Sequence, residues 1–69
     1  DGDVVAVFID GITVVDFKTD RIRETDLPAR VESYRSQLMA YSRALEEVTG
    51  RKVVRKVLWF FRLDKAVEL

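Results

Sequence analysis

The sequence contains no cysteine and no histidine, and these two absences exclude several kinds of functional site. Without cysteine, residues 1–69 cannot form a disulfide, a cysteine-ligated zinc site or a thiol nucleophile. Without histidine, they cannot form a Ser-His-Asp triad or the two-histidine zinc site of an HExxH helix. Any catalysis by these residues therefore depends on carboxylate, lysine or hydroxyl side chains.

The sequence also lacks a long apolar run and an excess of charge of one sign. No stretch approaches the roughly 20 apolar residues of a membrane span. The first three residues, Asp-Gly-Asp, are acidic where a signal peptide would be basic. Because 12 basic residues balance 12 acidic ones, no net charge attracts nucleic acid to the whole chain. These features predict a soluble cytoplasmic protein with no membrane partner, and local phosphate binding through a metal ion stays open.

A chain of 69 residues is long enough for one small domain, but the core of such a domain is marginal. We expect residues 1–69 to be a single partial domain that is stabilised by further segments or by a partner. Residues 4–9 and 12–17 are apolar on both faces over most of their length, which is typical of strands that are covered on each side. If one face of the sheet is left uncovered, pairing with a second copy would bury it, so a homo-oligomer is one expectation.

The order of hydrophobic patterns predicts an α/β fold. Two β-branched runs flank Asp10-Gly11, a dipeptide typical of a type I′ turn, and predict a hairpin over residues 3–18. A helix is expected over about 27–49, a strand over about 53–62 and a short strand over 66–69. In this arrangement the helix crosses over one sheet. The helix carries an apolar stripe formed by Leu27, Val31, Tyr34, Leu38, Tyr41, Leu45 and Val48.

Three charged residues stand out in the otherwise apolar hairpin. A two-residue turn places Val5 opposite Asp16 and Asp3 opposite Lys18, so that Asp3, Asp16 and Lys18 share one face. Carboxylate oxygens suit Mg²⁺ or Mn²⁺, and a neighbouring lysine can position water and stabilise charge on a phosphate. The alternative is an ordinary cross-strand ion pair between Asp3 and Lys18, with Asp16 capping a turn. The strand geometry alone does not choose between the two.

Several motifs resemble one family of nucleases. Residues 14–20, Val-Val-Asp-Phe-Lys-Thr-Asp, resemble the V-V-D-Y-K-T-D signature of PD-(D/E)XK nucleases of the RecB type. These nucleases form the C-terminal modules of AddA-like and RecB-like helicase–nucleases. Asp3 precedes Asp16 by 13 residues, the spacing of the family's first motif aspartate. Residues 34–41 resemble the family's Y-R-x-Q-L-x-x-Y helix motif, and residues 44–50 its A-L-E-x-x-T-G helix end.

The resemblance implies a restriction-endonuclease-like core, of which this chain would be a fragment, and a set of site residues. Asp3, Asp16 and the backbone carbonyl of Phe17 would bind Mg²⁺ or Mn²⁺, and Lys18 would be the catalytic lysine. Gln37 and Tyr41 would lie near the active site and the DNA. These two residues are one helical turn apart and share a face. Since Tyr41 is also on the apolar stripe, a core position is the alternative for it.

The function that the resemblance implies is metal-dependent hydrolysis of DNA by a module of exonuclease type. Its partners would be DNA and an ATP-driven helicase domain of the same or an associated chain, acting in double-strand-break repair and recombination. Family members carry a further metal ligand on an upstream helix, so we expect the isolated segment to be inactive. Two alternatives stay open. One is a catalytically silent nuclease-like domain with a structural or DNA-holding role, and the other is a small α/β interaction domain.

Overall fold

The computed structural model describes residues 2–69 as a four-stranded sheet with one long helix. This confirms the predicted α/β fold, with a hairpin, a long helix, a third strand and a short fourth strand. The third strand ends at Phe60 rather than near residue 62, because Phe61–Leu63 forms a 3₁₀ turn. A second 3₁₀ turn, Glu24–Asp26, leads into the helix. The main elements are β1 (Gly2–Phe8), β2 (Ile12–Lys18), α1 (Leu27–Thr49), β3 (Val53–Phe60) and β4 (Lys65–Glu68).

The sheet is mixed, with the strands in the order β1-β2-β3-β4. β2 pairs with β1 in antiparallel orientation and with β3 in parallel orientation, and β3 pairs with β4 in antiparallel orientation. Neighbouring parallel strands need a long crossover connection, and α1 lies within that connection between β2 and β3. β2 therefore occupies an interior position in the sheet.

The hairpin loop contains three residues, not the predicted two. Phe8 pairs with Ile12, and residues 9–11 form the loop. Asp10 and Gly11 both have positive φ values, 51° and 99°. An Asp-Gly dipeptide suits a two-residue turn, but a glycine with positive φ is also typical of three-residue hairpin loops. The loop is held against the next strand segment, because the Ile12 amide donates a hydrogen bond to the Lys52 carbonyl at 2.9 Å.

The longer loop shifts the register of β1 by one residue. Val4 pairs with Asp16 and Asp3 pairs with Phe17, whereas the two-residue turn predicted Val5 opposite Asp16. Since side chains alternate along a strand, this shift moves Asp3 to the face opposite that of Asp16 and Lys18. The prediction that the three charged side chains share one face is therefore wrong.

The core lies between α1 and one face of the sheet. β2 has a strictly alternating burial pattern, in which every second residue from Ile12 to Lys18 is buried. Within residues 2–69, no helix covers the opposite face, and Val5 and Val7 are exposed there. We expected both faces of the hairpin strands to be covered, and within the described residues only one face is. The buried apolar residues are Ile12, Val14, Val31, Leu38, Leu58 and Phe60.

The buried stripe of α1 differs from the predicted stripe in its C-terminal half. Tyr41 is 39% exposed and Val48 is 86% exposed, while Ser42 is buried. The predicted stripe alternates spacings of four and three, an average of 3.5 residues per turn. A straight helix has 3.6 residues per turn, so such a stripe drifts around the axis by about 20° per heptad. The core position considered for Tyr41 is therefore wrong.

Within residues 2–69, no helix is both long enough and apolar enough to cross a membrane.

Candidate functional site

A buried ion pair lies near the C-terminal end of β2, on the face that α1 covers. The Lys18 ammonium nitrogen is 3.2 Å from Asp16 Oδ2, and the two side chains are only 10% and 7% exposed. Residues two apart on a strand point the same way, which brings both groups into the same apolar surroundings. Two buried charges are costly unless each has a close partner. The pair is therefore the chemically unusual feature of this core.

The second carboxylate oxygen of Asp16 has no partner within the described chain. Asp16 Oδ1 is buried and accepts no hydrogen bond. Nearly all buried polar atoms in folded proteins are satisfied, and a carboxylate oxygen is a good ligand for a hard divalent cation. Asp16 thus fits the role of a metal ligand. Within residues 2–69, no three acidic side chains are grouped closely enough to hold a metal ion, so a site that includes Asp16 needs ligands of another kind or from elsewhere.

An aromatic ring also contacts the Lys18 ammonium. The nitrogen is 4.0 Å from the centroid of the Tyr34 ring, a distance typical of a cation–π interaction. Tyr34 is half-buried on α1, and its ring centroid is 6.2 Å from that of Phe60 on β3. The ammonium therefore contacts both the Asp16 carboxylate and an aromatic face.

The Tyr34 hydroxyl belongs to a polar network that reaches the loop after β2. It donates a hydrogen bond to Asp20 Oδ2, and the Arg30 guanidinium lies 3.3 Å from the same oxygen. The Tyr34 hydrogen bond is the main reason why the pKa of Asp20 lies below its ordinary value. Burial, followed by the contact with Asp20, raises the pKa of Tyr34. At neutral pH the network thus consists of a neutral phenol, a carboxylate and a guanidinium.

Sequence reasoning placed Tyr34 only on the apolar stripe and assigned neither Tyr34 nor Asp20 to the site. A signal was present, because Asp20 ends the motif of residues 14–20 and Tyr34 begins the motif of residues 34–41. Only the fold brings the two motifs together, since the contact joins residues 14 positions apart in the chain.

The structure places Asp3 away from this pair. Asp3 is exposed and lines a shallow depression of about 390 Å³ on the uncovered face of the sheet, together with Val5, Phe17, Thr19 and Phe61. It therefore does not converge with the Asp16 carboxylate in this register. The Phe17 carbonyl lies on β2, next to Asp16 in the chain. The assignment of Asp3 and this carbonyl to a metal ion stays a prediction.

Gln37 and Tyr41 are both exposed on α1. In the described chain, neither forms a hydrogen bond or an ion pair with Asp16 or Lys18. Both are thus accessible to solvent, which a contact with DNA requires. Their predicted role near DNA is not tested by these contacts.

Comparison with known proteins gives a consistent set of relatives. No protein-family model matches the chain. The chain is 45% identical over 67 residues to an ATP-dependent helicase/nuclease subunit from Carboxydothermus hydrogenoformans, a match that covers 97% of this chain and 6% of the relative. Proteins with the same name from Clostridium novyi and Clostridioides difficile are 42% and 38% identical over 60 and 56 residues. These matches cover 87% and 81% of this chain but only 5% and 4% of the relatives. The chain is therefore homologous to a short segment of helicase/nuclease subunits.

Proposed function

We propose that the chain is part of a metal-dependent DNA nuclease in which Asp16 binds Mg²⁺ or Mn²⁺ and Lys18 acts on the phosphodiester. The observation that carries this proposal is the unpartnered, buried Oδ1 of Asp16 beside the paired Oδ2 and the Lys18 ammonium. The names of the relatives support it, because each of them includes the words helicase and nuclease.

Asp16 and Lys18 would have separate tasks in this reaction. When bound, a divalent cation polarises a phosphate oxygen and makes a water molecule easier to deprotonate. Asp16 Oδ1 would hold that cation, while Oδ2 keeps the Lys18 ammonium in place. The ammonium would donate hydrogen bonds to the developing negative charge on the phosphate and to the attacking water.

The proposal extends to the finer features that the resemblance implies. They are a restriction-endonuclease-like core, an exonuclease mode, a cytoplasmic location and a role in double-strand-break repair and recombination. The partners would be DNA and a helicase domain of the same or an associated chain, and pairing of two copies stays a prediction. Gln37 and Tyr41 would contact DNA from the exposed surface of α1. The Phe17 carbonyl would be a further metal ligand, and Asp3 would join it only if the hairpin adopts the shorter loop.

A catalytically silent, DNA-holding domain is the second candidate. One observation favours it, namely that Asp16 is the one carboxylate on the covered face of β2 and that Asp3 lies on the other face. A domain of this kind would bind DNA without hydrolysing it.

The first test is a Mn²⁺ titration of the purified chain, followed by paramagnetic broadening of its backbone amide signals. We expect broadening centred on Asp16 and Phe17, and its loss in Asp16→Asn. Asp10→Asn is the matched control, because Asp10 is an exposed aspartate in the loop at the other end of β2. Absence of localised broadening in a folded sample would count against the metal site.

The second test separates the nuclease from the silent domain. Because we expect the isolated segment to be inactive, the test uses a full-length helicase/nuclease subunit in which residues 1–69 replace the homologous segment. A labelled oligonucleotide is incubated with this protein and Mg²⁺, and the products are separated by length. Cleavage that Asp16→Asn and Lys18→Met both abolish, while each variant is shown to be folded, supports the nuclease. Binding of the oligonucleotide without cleavage, in a sample that does bind Mn²⁺ at Asp16, favours the silent domain.

A further inference from the structure

The Lys18 ammonium needs more than one contact to keep a fixed position. Lysine carries its charge at the end of a flexible four-carbon stem, so a single ion pair restrains it weakly. Its partner in the structure is Asp16 Oδ2, at 3.2 Å. If Asp16 also binds a cation, part of its negative charge is shared with that cation, and its hold on the ammonium becomes weaker. A second, uncharged contact would then maintain the position of the ammonium.

The Tyr34 ring supplies such a contact. Its centroid is 4.0 Å from the Lys18 nitrogen, on the face of the ring where the electrostatic potential is negative. A ring face attracts a cation without a formal charge and therefore does not compete with Asp16 for the metal. Because the Lys18 side chain is 10% exposed, water screens this attraction little.

The ring itself is fixed from its two ends. At the hydroxyl end, Tyr34 donates to Asp20, and Arg30 lies 3.3 Å from the same Asp20 oxygen and donates to the Tyr34 hydroxyl at 3.4 Å. The ring of Phe60 also packs against the ring of Tyr34, with 6.2 Å between the two centroids. An aromatic residue that served only to fill the core would not need a carboxylate and a guanidinium at its hydroxyl.

We infer that Tyr34 is a positioning residue for Lys18: its ring holds the ammonium beside Asp16, and Asp20 and Arg30 hold the ring in place. This inference rests on the proposed nuclease function. It assigns the network of Asp20, Arg30 and Tyr34 to the reaction through the position of the Lys18 ammonium. It also explains why a charged network joins α1 and the loop after β2 at this end of the sheet.

The test reads the position of the ammonium directly, in buffer without metal and without DNA. Proton–nitrogen spectra of the lysine ammonium groups are recorded at low temperature and mildly acidic pH. The chain has four lysines, and Lys18 is the buried one. We expect its ammonium protons to resonate upfield of those of the other three, because they lie over the shielding face of the Tyr34 ring.

Three variants separate positioning from packing. Tyr34→Leu should move the Lys18 signal to the position of the other lysines. Tyr34→Phe should give an intermediate upfield shift, because the ring is kept but its hydroxyl contacts with Asp20 and Arg30 are lost. Phe8→Leu is the matched control, because Phe8 also has a cation near its ring, Arg51 at 6.0 Å, but lies at the opposite end of β2 from Lys18. Its replacement should leave the Lys18 signal unchanged.

Each outcome decides the inference. A folded wild-type chain whose Lys18 signal coincides with the other lysines overturns it, and this measurement needs no variant, so a failure of Tyr34→Leu to fold does not affect it. An equal shift in Tyr34→Leu also overturns it. Failure of the nuclease proposal has a different signature, namely no Mn²⁺ broadening at Asp16 while the Lys18 signal stays upfield. Tyr34 would then hold an ammonium that serves no metal site, which overturns its role in the reaction.

Discussion

The ammonium of Lys18 lies 3.2 Å from Asp16 Oδ2 inside the core, so each charge is the main compensation for the burial of the other. Removing one partner of a buried pair leaves an uncompensated charge, which is more destabilising than removing both. The stability of the chain is therefore tied to the same two residues that we propose for its chemistry. Mutations at the site will change both properties, and stability must be measured before activity is interpreted.

Replacing Lys18 with methionine should destabilise the chain strongly in buffer without metal. The methionine fills a similar volume but leaves the Asp16 carboxylate buried without its cation. We expect the free energy of unfolding to fall by about 3 kcal/mol. The double variant Asp16→Asn/Lys18→Met should recover most of this loss, because no buried charge remains. Urea denaturation at pH 7 measures all four members of the cycle.

The matched control for this cycle is Lys52→Met, which removes an exposed lysine. We expect a change within about 0.5 kcal/mol for it. If Lys18→Met were as mild as Lys52→Met, the Asp16 carboxylate would not depend on the Lys18 ammonium, and the buried ion pair would be contradicted.

Tyr34→Phe should destabilise the chain at neutral pH and have a smaller effect in acid. The variant loses the hydrogen bond from the Tyr34 hydroxyl to the Asp20 carboxylate, and such a bond contributes about 1.5–3 kcal/mol when the acceptor is charged. That bond lowers the pKa of Asp20 in the folded chain below its ordinary value of 3.8. A lowered pKa contributes stability above the unfolded pKa, and the contribution is lost as pH falls through the folded pKa.

The check is the difference in unfolding free energy between wild type and Tyr34→Phe at pH 7 and at pH 3. We expect the difference to shrink in acid. Tyr41→Phe is the matched control, because the Tyr41 side chain is exposed and forms no hydrogen bond with another described residue. A difference for Tyr34→Phe that is the same at both pH values would contradict the ionic character of the Asp20 contact.

The helix and the strands could be predicted from the sequence because local signals coincide with tertiary packing. Pro28 and Gly50 mark the two ends of α1, and Gly50 adopts the left-handed conformation with a φ of 68°. The register of the hairpin could not be predicted in the same way. An Asp-Gly dipeptide permits both a two-residue and a three-residue loop, and β1 is apolar on both faces. Neither the turn residues nor the hydrophobic pattern therefore fixes the register.

Gly11→Ala should destabilise the chain more than Gly50→Ala. Both glycines have positive φ values, 99° and 68°, so both variants carry a backbone cost of about 1 kcal/mol. At Gly11 an added Cβ would also lie 2.9 Å from Val54 Cγ1, whereas at Gly50 nothing lies within 4 Å. Urea denaturation of both variants gives the comparison. Equal losses would show that the hairpin loop does not approach Val54 as described.

The candidate site shows the same division between local and long-range information. The spacing of Asp16 and Lys18 on β2 predicts that they share a face, and the structure confirms this. The contact of Tyr34 with Lys18 depends on how α1 crosses the sheet, which no local pattern specifies. The position of Asp3 depends on the hairpin register. The predicted two-residue turn placed Asp3 on the same face as Asp16, and the observed three-residue loop places it on the opposite face.

The register of the hairpin predicts that Asp3 and Asp16 differ in their effect on metal binding. Asp3 lies opposite Phe17 on the uncovered face of the sheet, while Asp16 lies on the covered face with a free oxygen. In a Mn²⁺ titration, Asp3→Asn should leave the broadening around Asp16 unchanged, and Asp16→Asn should abolish it. If both variants abolish the broadening, the two carboxylates share the ion, and the hairpin must have the two-residue loop in solution. Nuclear Overhauser contacts between Cα hydrogens of β1 and β2 identify the loop independently. The described register pairs Val5 with Val15, whereas the shorter loop would pair Val5 with Asp16.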